Sequence, residues 1–254
     1  MFLQRFRHFF FVPSRPFEVT SPLYYCLKNQ SQWNVFGWKP LATLVYAVPM
    51  LREKVTRKDM NERIIEVPWI FSQIDFSRKG TVLDVGWLES TVSLSLATAG
   101  FQVTGIDIRQ GALEHPNISA RVEDICLTTL KENTFDTVIL LSTLEHIGLE
   151  SMYGSVDKKS SDQKAILSCL RVLKPGGKLL ITTPVGATAS KNNFMRVYTP
   201  TSLRRILKTA KIESMTFFIP NDDRTLWKEV NEKELTHLTG FGVALISARK
   251  RDSS

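Results

Sequence analysis

Cysteine is scarce in this 254-residue chain, and Cys26, Cys126 and Cys169 are far apart and odd in number. That excludes a disulfide framework and any CxxC-type zinc site, and it fits a reducing, cytoplasmic compartment. Histidine is equally sparse, with four residues. No three-residue His/Cys cluster stands at metal-ligand spacing, so no metal is expected. Long apolar runs are missing too: the longest, residues 40–51, falls well short of the ~20 residues that cross a bilayer as a helix. The opening MFLQRFRHFFFVPSRPF has a short apolar patch, interrupted by Arg5, Arg7 and His8 and ended by Pro13 without a small-residue cleavage site. No signal peptide is expected. Repeats and low-complexity tracts are also absent.

What is present is a basic, aromatic start followed by a regular alternation of elements. The net charge is +8, and residues 1–60 hold nine Lys or Arg against Glu18, Glu53 and Asp59. These basic residues are mixed with eleven aromatics between Phe2 and Trp38. Nucleic-acid binding would place them along a groove or a recognition helix, so it is not favoured. A peripheral contact with an anionic membrane, or a lid over a substrate, fits the same composition. Residues 1–58 lack a sustained period of 2 or 3.6 and contain Pro13, Pro16, Pro22, Pro40 and Pro49. They read as an N-terminal extension, and residues 59–254 as the folded domain.

From Asp59 a capping candidate leads into a helix with apolar residues at Ile64, Ile65, Val67, Ile70, Phe71 and Ile74, disturbed at Pro68. Strand-like TVLDVG (81–86), helix-like STVSLSLATAG (90–100), strand-like FQVTGIDI (101–108), then ISARVEDI (118–125) and FDTVILL (135–141) follow. A helix over 162–174 closes at Pro-Gly-Gly before the strand KLLITTP (178–184). The tail adds a helix over 200–210 and strands over 212–219 and 241–249, joined by a mostly polar connection. Such alternation predicts an α/β fold, doubly wound on a mostly parallel sheet.

Ligands of such sheets sit beyond the carboxyl ends of the strands. There Asp84 and Gly86 end the first strand and Glu89-Ser90 open the next helix, a turn suited to a carboxylate or phosphate. Asp107 ends the second strand, placed to accept from two hydroxyls. Glu123-Asp124 ends the third, beside Ile125, offering an acceptor for an exocyclic amine and an apolar cover for a base. Each acid also has a bland role available: bonding its own turn, capping a helix, or facing water.

Taken in order, VLDVG, TGIDIR, VEDI, FDTVILLSTLEHIG and LRVLKPGGKLLITTPVG resemble class I S-adenosylmethionine-dependent methyltransferases over about three quarters of the chain. The resemblance implies a seven-stranded sheet whose last strand is antiparallel. It implies that Asp84 and Gly86 line the methionine part of S-adenosyl-L-methionine, Asp107 holds its ribose, and Asp124 with Ile125 meet its adenine. The chain departs from the family's DxGxGxG-like turn, because Trp87 to Ser90 replace the later glycines. There Glu89 is a candidate acceptor for the cofactor's ammonium group, and Ser90 for a hydroxyl contact. A nicotinamide cofactor would favour GxGxxG after the first strand, where this chain has one glycine.

Ser142 to Gly148 follow the fourth strand, where they face both cofactor and acceptor in this fold. His146 is the candidate general base, with a ring that is largely neutral near pH 7. Glu145 is the candidate for orienting it, and both also suit a loop-stabilising role. Arg196 and Tyr198 are candidates for an acceptor wall or for packing, as is Trp227. SxxEHIGLxxxYG, followed by TPVG and RVY, is similar to a less characterised methyltransferase-like group among sugar and cell-surface polysaccharide proteins. The expected function is methyl transfer to a small acceptor, carbohydrate-like or lipid-linked. The alternative is a non-catalytic protein of the same fold that binds a nucleoside or a partner.

Overall fold

The computed structural model describes residues 61–111, 113–149, 161–222, 224 and 226–251. The N-terminal extension, with its proposed lid or membrane role, lies outside them, as does most of the polar stretch before Ser161. Among the described residues no helix is long and apolar enough to cross a membrane.

The helices are α1 (Arg63–Ser72), α2 (Val92–Thr98), α3 (Ser161–Val172) and α4 (Pro200–Ile206). The strands are β1 (Thr81–Val85), β2 (Gln102–Asp107), β3 (Ile118–Val122), β4 (Phe135–Leu141), β5 (Leu173–Val185), β6 (Ser190–Lys191), β7 (Arg196–Val197), β8 (Ala210–Pro220), β9 (Trp227–Val230) and β10 (Gly242–Lys250). β6 and β7 form a separate small hairpin; the other eight make one sheet in the order β3-β2-β1-β4-β5-β10-β8-β9. The first five are parallel, and β10 runs antiparallel to both β5 and β8.

The apolar run of β4 follows from burial on both faces. Val138 and Leu140 join α3 and α4 in one core, through Ala165, Ile166, Cys169, Leu203 and Ile206. Ile139 and Leu141 point the other way, into a second core with Ile70 of α1 and Val92, Leu96 and Ala97 of α2. Pro68 sits inside α1, yet the helix runs on to Ser72. Thr199 caps α4 with a reciprocal bond to Ser202, and Pro200 at the first turn loses no helical hydrogen bond.

The sheet has eight strands where seven were expected. The extra one, β9, pairs antiparallel with Phe217–Pro220 of β8. Its WKEV is short, polar and half exposed at the edge, so it lacks the apolar run that marks a buried strand. α3 also ends earlier than the sequence suggests: Leu173 already pairs with Phe135, and the ladder shifts register before resuming at Lys178. The intervening Pro-Gly-Gly takes up the shift, with Gly176 at φ 67°. Strand order reverses between β2-β1 and β4-β5, which opens a crevice beyond the ends of β1 and β4.

Candidate active site

A cavity of about 340 Å³ occupies that crevice, within the size range of small-molecule sites. Its walls include Gly86, Glu89 and Ser90 after β1, Asp107 at the end of β2, and Asp124 and Ile125 after β3. Ser142 and His146 after β4 complete the set. Of the predicted cofactor-binding residues and the Glu145–His146 pair, all meet there except Asp84 and Glu145, which are buried and do not line it.

Gly86 adopts φ 77°, and a Cβ there would lie 2.5 Å from Thr143 Oγ1. Thr143 donates to the carbonyls of Val85 and Leu141, tying the ends of β1 and β4 together. The glycine is therefore required both by its left-handed backbone and by the close approach of a second loop. Trp87, in the segment that departs from the family's glycine-rich turn, turns away from the cavity and is buried. Its ring covers Gly105 of β2, where a Cβ would come within 2.6 Å of it. The bulk missing at Gly105 makes room for the bulk added at position 87. Gly105→Val is accordingly expected to destabilise the fold by about 2–3 kcal/mol through overpacking, read from a lowered urea midpoint.

Asp84 accepts a 2.7 Å bond from Ser93 of α2. Burial raises its pKa to about 7. Its role as placed is to tie β1 to α2. Asp107 Oδ1 accepts from the Arg109 backbone N–H and Nε, and Oδ2 accepts from Arg109 Nη2. Arg109 Nη1 reaches Glu89 at 2.7 Å. The guanidinium thus sits between the two carboxylates expected to face a ligand. A carboxylate oxygen carries about two acceptor positions, so Oδ2 retains one for a hydroxyl. Asp124 accepts from the Cys126 N–H and caps the short turn that carries buried Ile125. Glu123 is held by Thr128 and Thr129. Ser90 Oγ accepts from the Val92 N–H at 3.3 Å, at the start of α2.

One wall residue on α1, with its buried partner, escaped the sequence reading. Arg63 of α1 lines the cavity and pairs with buried Glu66 at 2.5 Å. Glu66 accepts in turn from Ser142 Oγ at 2.6 Å, and Ser142 has φ 44°. In sequence, Arg63 and Glu66 look like an ordinary i,i+3 surface pair; nothing local announces that this face of α1 is covered.

His146 Nδ1 lies 2.6 Å from the carbonyl oxygen of Phe194. A carbonyl only accepts, so Nδ1 carries the proton, and in the neutral ring Nε2 holds the lone pair. Glu145 Oε1 is 3.8 Å from Nε2, beyond hydrogen-bond distance. Glu145 is buried, receives a bond from Thr183, and has its pKa pushed up to about 8, first by desolvation and then by Glu66. Among the described residues, the hydrogen bond at Nδ1 is therefore to Phe194 and not to the neighbour in sequence. Arg196 and Tyr198 are not among the residues that line the cavity. Arg196 Nη1 is bound to the Ile147 carbonyl at 2.6 Å. Tyr198 is buried, with its hydroxyl 3.2 Å from Asp162.

Asp84 and Glu145 both bind a proton more tightly in the folded protein than in the unfolded chain. Their contribution to stability is full below about pH 4 and is lost as pH rises through about 7 and about 8 respectively. Thermal melts of the Glu145→Gln variant should therefore show its largest gain over wild type above pH 8, shrinking towards pH 5.

Residues 83–181 match the family model described as a methyltransferase domain. The strand order from β3 through β10 and the cavity at the switch point belong to the same architecture. The fold is that of the class I S-adenosylmethionine-dependent methyltransferases. S-Adenosylmethionine is the cofactor of that family. The methyltransferase is 26% identical over 188 residues to a ubiquinone biosynthesis O-methyltransferase of Coxiella burnetii, covering 70% of this chain and 73% of that protein. A solved S-adenosylmethionine-dependent methyltransferase from Mesorhizobium loti superposes with a TM-score of 0.54 at 16% identity, over 73% of this chain and 97% of that one. The 1,6-didemethyltoxoflavin N1-methyltransferase of Burkholderia thailandensis, solved with S-adenosylhomocysteine, gives a TM-score of 0.53 at 15% identity, over 91% of each.

Proposed function

We propose that this methyltransferase moves the methyl group of S-adenosylmethionine to a hydroxyl of a small acceptor, carbohydrate-like or lipid-linked, with His146 as the general base. The observation that carries the reading is the 2.6 Å contact between His146 Nδ1 and the Phe194 carbonyl, which leaves Nε2 the basic nitrogen at the cavity wall.

The wall residues fit the cofactor chemically. Asp107 Oδ2 has an acceptor position for a ribose hydroxyl, and Asp124 has a carboxylate beside the apolar surface of Ile108 and Ile125 for a base. Arg63 offers the positive charge that a ligand carboxylate needs, and Glu89 the negative charge for an ammonium. When bound, the cofactor supplies a methyl group on a positively charged sulfur. His146 Nε2 would take the proton of an acceptor hydroxyl at the cavity wall as its oxygen received the methyl group, the sulfur keeping the electron pair of the bond it gave up. The remaining contribution is alignment, for which rigid strand ends are suited.

A hydroxyl acceptor is favoured because it must lose a proton, and because the C. burnetii relative is named an O-methyltransferase. The carbohydrate-like or lipid-linked class draws on the SxxEHIGLxxxYG motif and the relative's naming for ubiquinone biosynthesis. Asp107→Ala should weaken S-adenosylhomocysteine binding by roughly one to two orders of magnitude, the worth of a charged hydrogen bond of ~1.5–3 kcal/mol. Calorimetry on wild type and variant tests it; equal affinities would remove Asp107 from the cofactor site. Screening hydroxylated sugars and isoprenoid phenols for thioether product tests the acceptor class.

A further inference from the structure

The β6–β7 hairpin is small, with two paired positions, Ser190 with Val197 and Lys191 with Arg196. An isolated hairpin of this kind is marginal in water. It is anchored at its end, where the Tyr198 N–H donates to the Pro184 carbonyl at 3.1 Å. Its turn is held by Asn192, whose side-chain oxygen accepts from the backbone N–H groups of Phe194 and Met195 at 2.8 Å each.

That turn faces the His146 segment through three contacts. The Phe194 carbonyl accepts a hydrogen bond from His146 Nδ1–H at 2.6 Å. The Phe194 ring meets the imidazole edge-on, with centroids 4.7 Å apart. Arg196 Nη1 donates to the carbonyl of Ile147 at 2.6 Å and reaches that of Glu145 at 3.5 Å, bracketing His146 on both sides along the chain.

From these contacts we infer that the hairpin is a positioning device for His146, in which Asn192 and Arg196 hold the Phe194 carbonyl where it fixes the proton on Nδ1 and keeps Nε2 basic. The inference rests on His146 as the base and names the groups that make it one. Among the described residues, the charged neighbours of the ring are Glu145 at 3.8 Å and Arg196, with Arg63 and Glu66 acting on Glu145, and Asp162 accepting from the Tyr198 hydroxyl behind the hairpin. The short bond that selects the tautomer comes from the Phe194 carbonyl, which as a backbone group titrates at no accessible pH.

Nitrogen-15 NMR of the full-length protein with labelled histidine, read beside kcat, tests the inference. The wild type should show a protonated Nδ1 and an unprotonated Nε2 on His146. Asn192→Ala and Arg196→Met should give mixed tautomers, a kcat lowered roughly ten- to a hundredfold by misplacement, and unchanged S-adenosylhomocysteine affinity. Arg196→Lys should recover part of the loss. A wild-type ring protonated on Nε2, or variants that keep both the wild-type tautomer and the wild-type kcat, would overturn the inference. Tautomers that scramble in the variants while kcat holds would uphold the positioning role and overturn His146 as the base.

Discussion

His146→Asn is expected to lower turnover by roughly two to four orders of magnitude, the usual contribution of a general acid or base, while binding S-adenosylhomocysteine as the wild type does. Asparagine is close in size to the proximal part of the imidazole and can still donate to the Phe194 carbonyl, so the loop keeps its anchor. What it lacks is a nitrogen lone pair where Nε2 stood. Glu145→Gln provides the contrast. At pH 7 burial already keeps this carboxyl largely protonated, with its pKa at about 8, and it lies too far from Nε2 for a hydrogen bond. Its replacement should therefore change kcat by less than about threefold at neutral pH and matter more above pH 8. Steady-state kinetics of the two variants against pH distinguishes a base held by a backbone carbonyl from one held by its sequence neighbour.

Gly86→Val is expected to destabilise the protein by at least about 3 kcal/mol, in the range reserved for strain and overpacking in a closed core. Two costs act together. The backbone at φ 77° is one that a β-branched residue adopts only under strain. The added Cβ would also meet Thr143 Oγ1 at 2.5 Å and Cγ2 at 2.7 Å. Moving Thr143 breaks its bonds to the ends of β1 and β4, so relief is not available without opening the crevice. Gly86→Ala should cost less, and Thr143→Ala in that background should return part of the loss, since it removes the clash and leaves the backbone strain. Urea denaturation of the single and double variants separates the two contributions.

The parts of the molecule legible in sequence are those set by residue type and period. Strands buried on both faces read as apolar runs, the acids Asp107 and Asp124 fall where those runs stop, and Pro-Gly-Gly announces the buried run of β5, though not the register shift it takes up. The parts that escaped are set by contacts between distant segments. The departure from a glycine-rich turn at Trp87 to Ser90 is legible in sequence, but the packing of the Trp87 ring over Gly105 is not. Arg63 and Glu66 carried the signature of a solvated helix face, yet Ser142 and the cavity wall lie against them. Phe194 acts through its carbonyl, and a backbone group leaves no trace in residue identity. β9 has too few apolar residues to stand out, because an edge strand needs only one covered face.

The central claim is that the crevice at the ends of β1, β2 and β3 holds S-adenosylmethionine. Titration calorimetry of the purified protein with S-adenosylmethionine and S-adenosylhomocysteine, with NAD as the comparison, tests it most directly. The account predicts dissociation constants on the order of micromolar for both sulfur compounds, about −8 kcal/mol, and no heat from NAD. No heat from either sulfur compound, or equal binding of NAD, would contradict it.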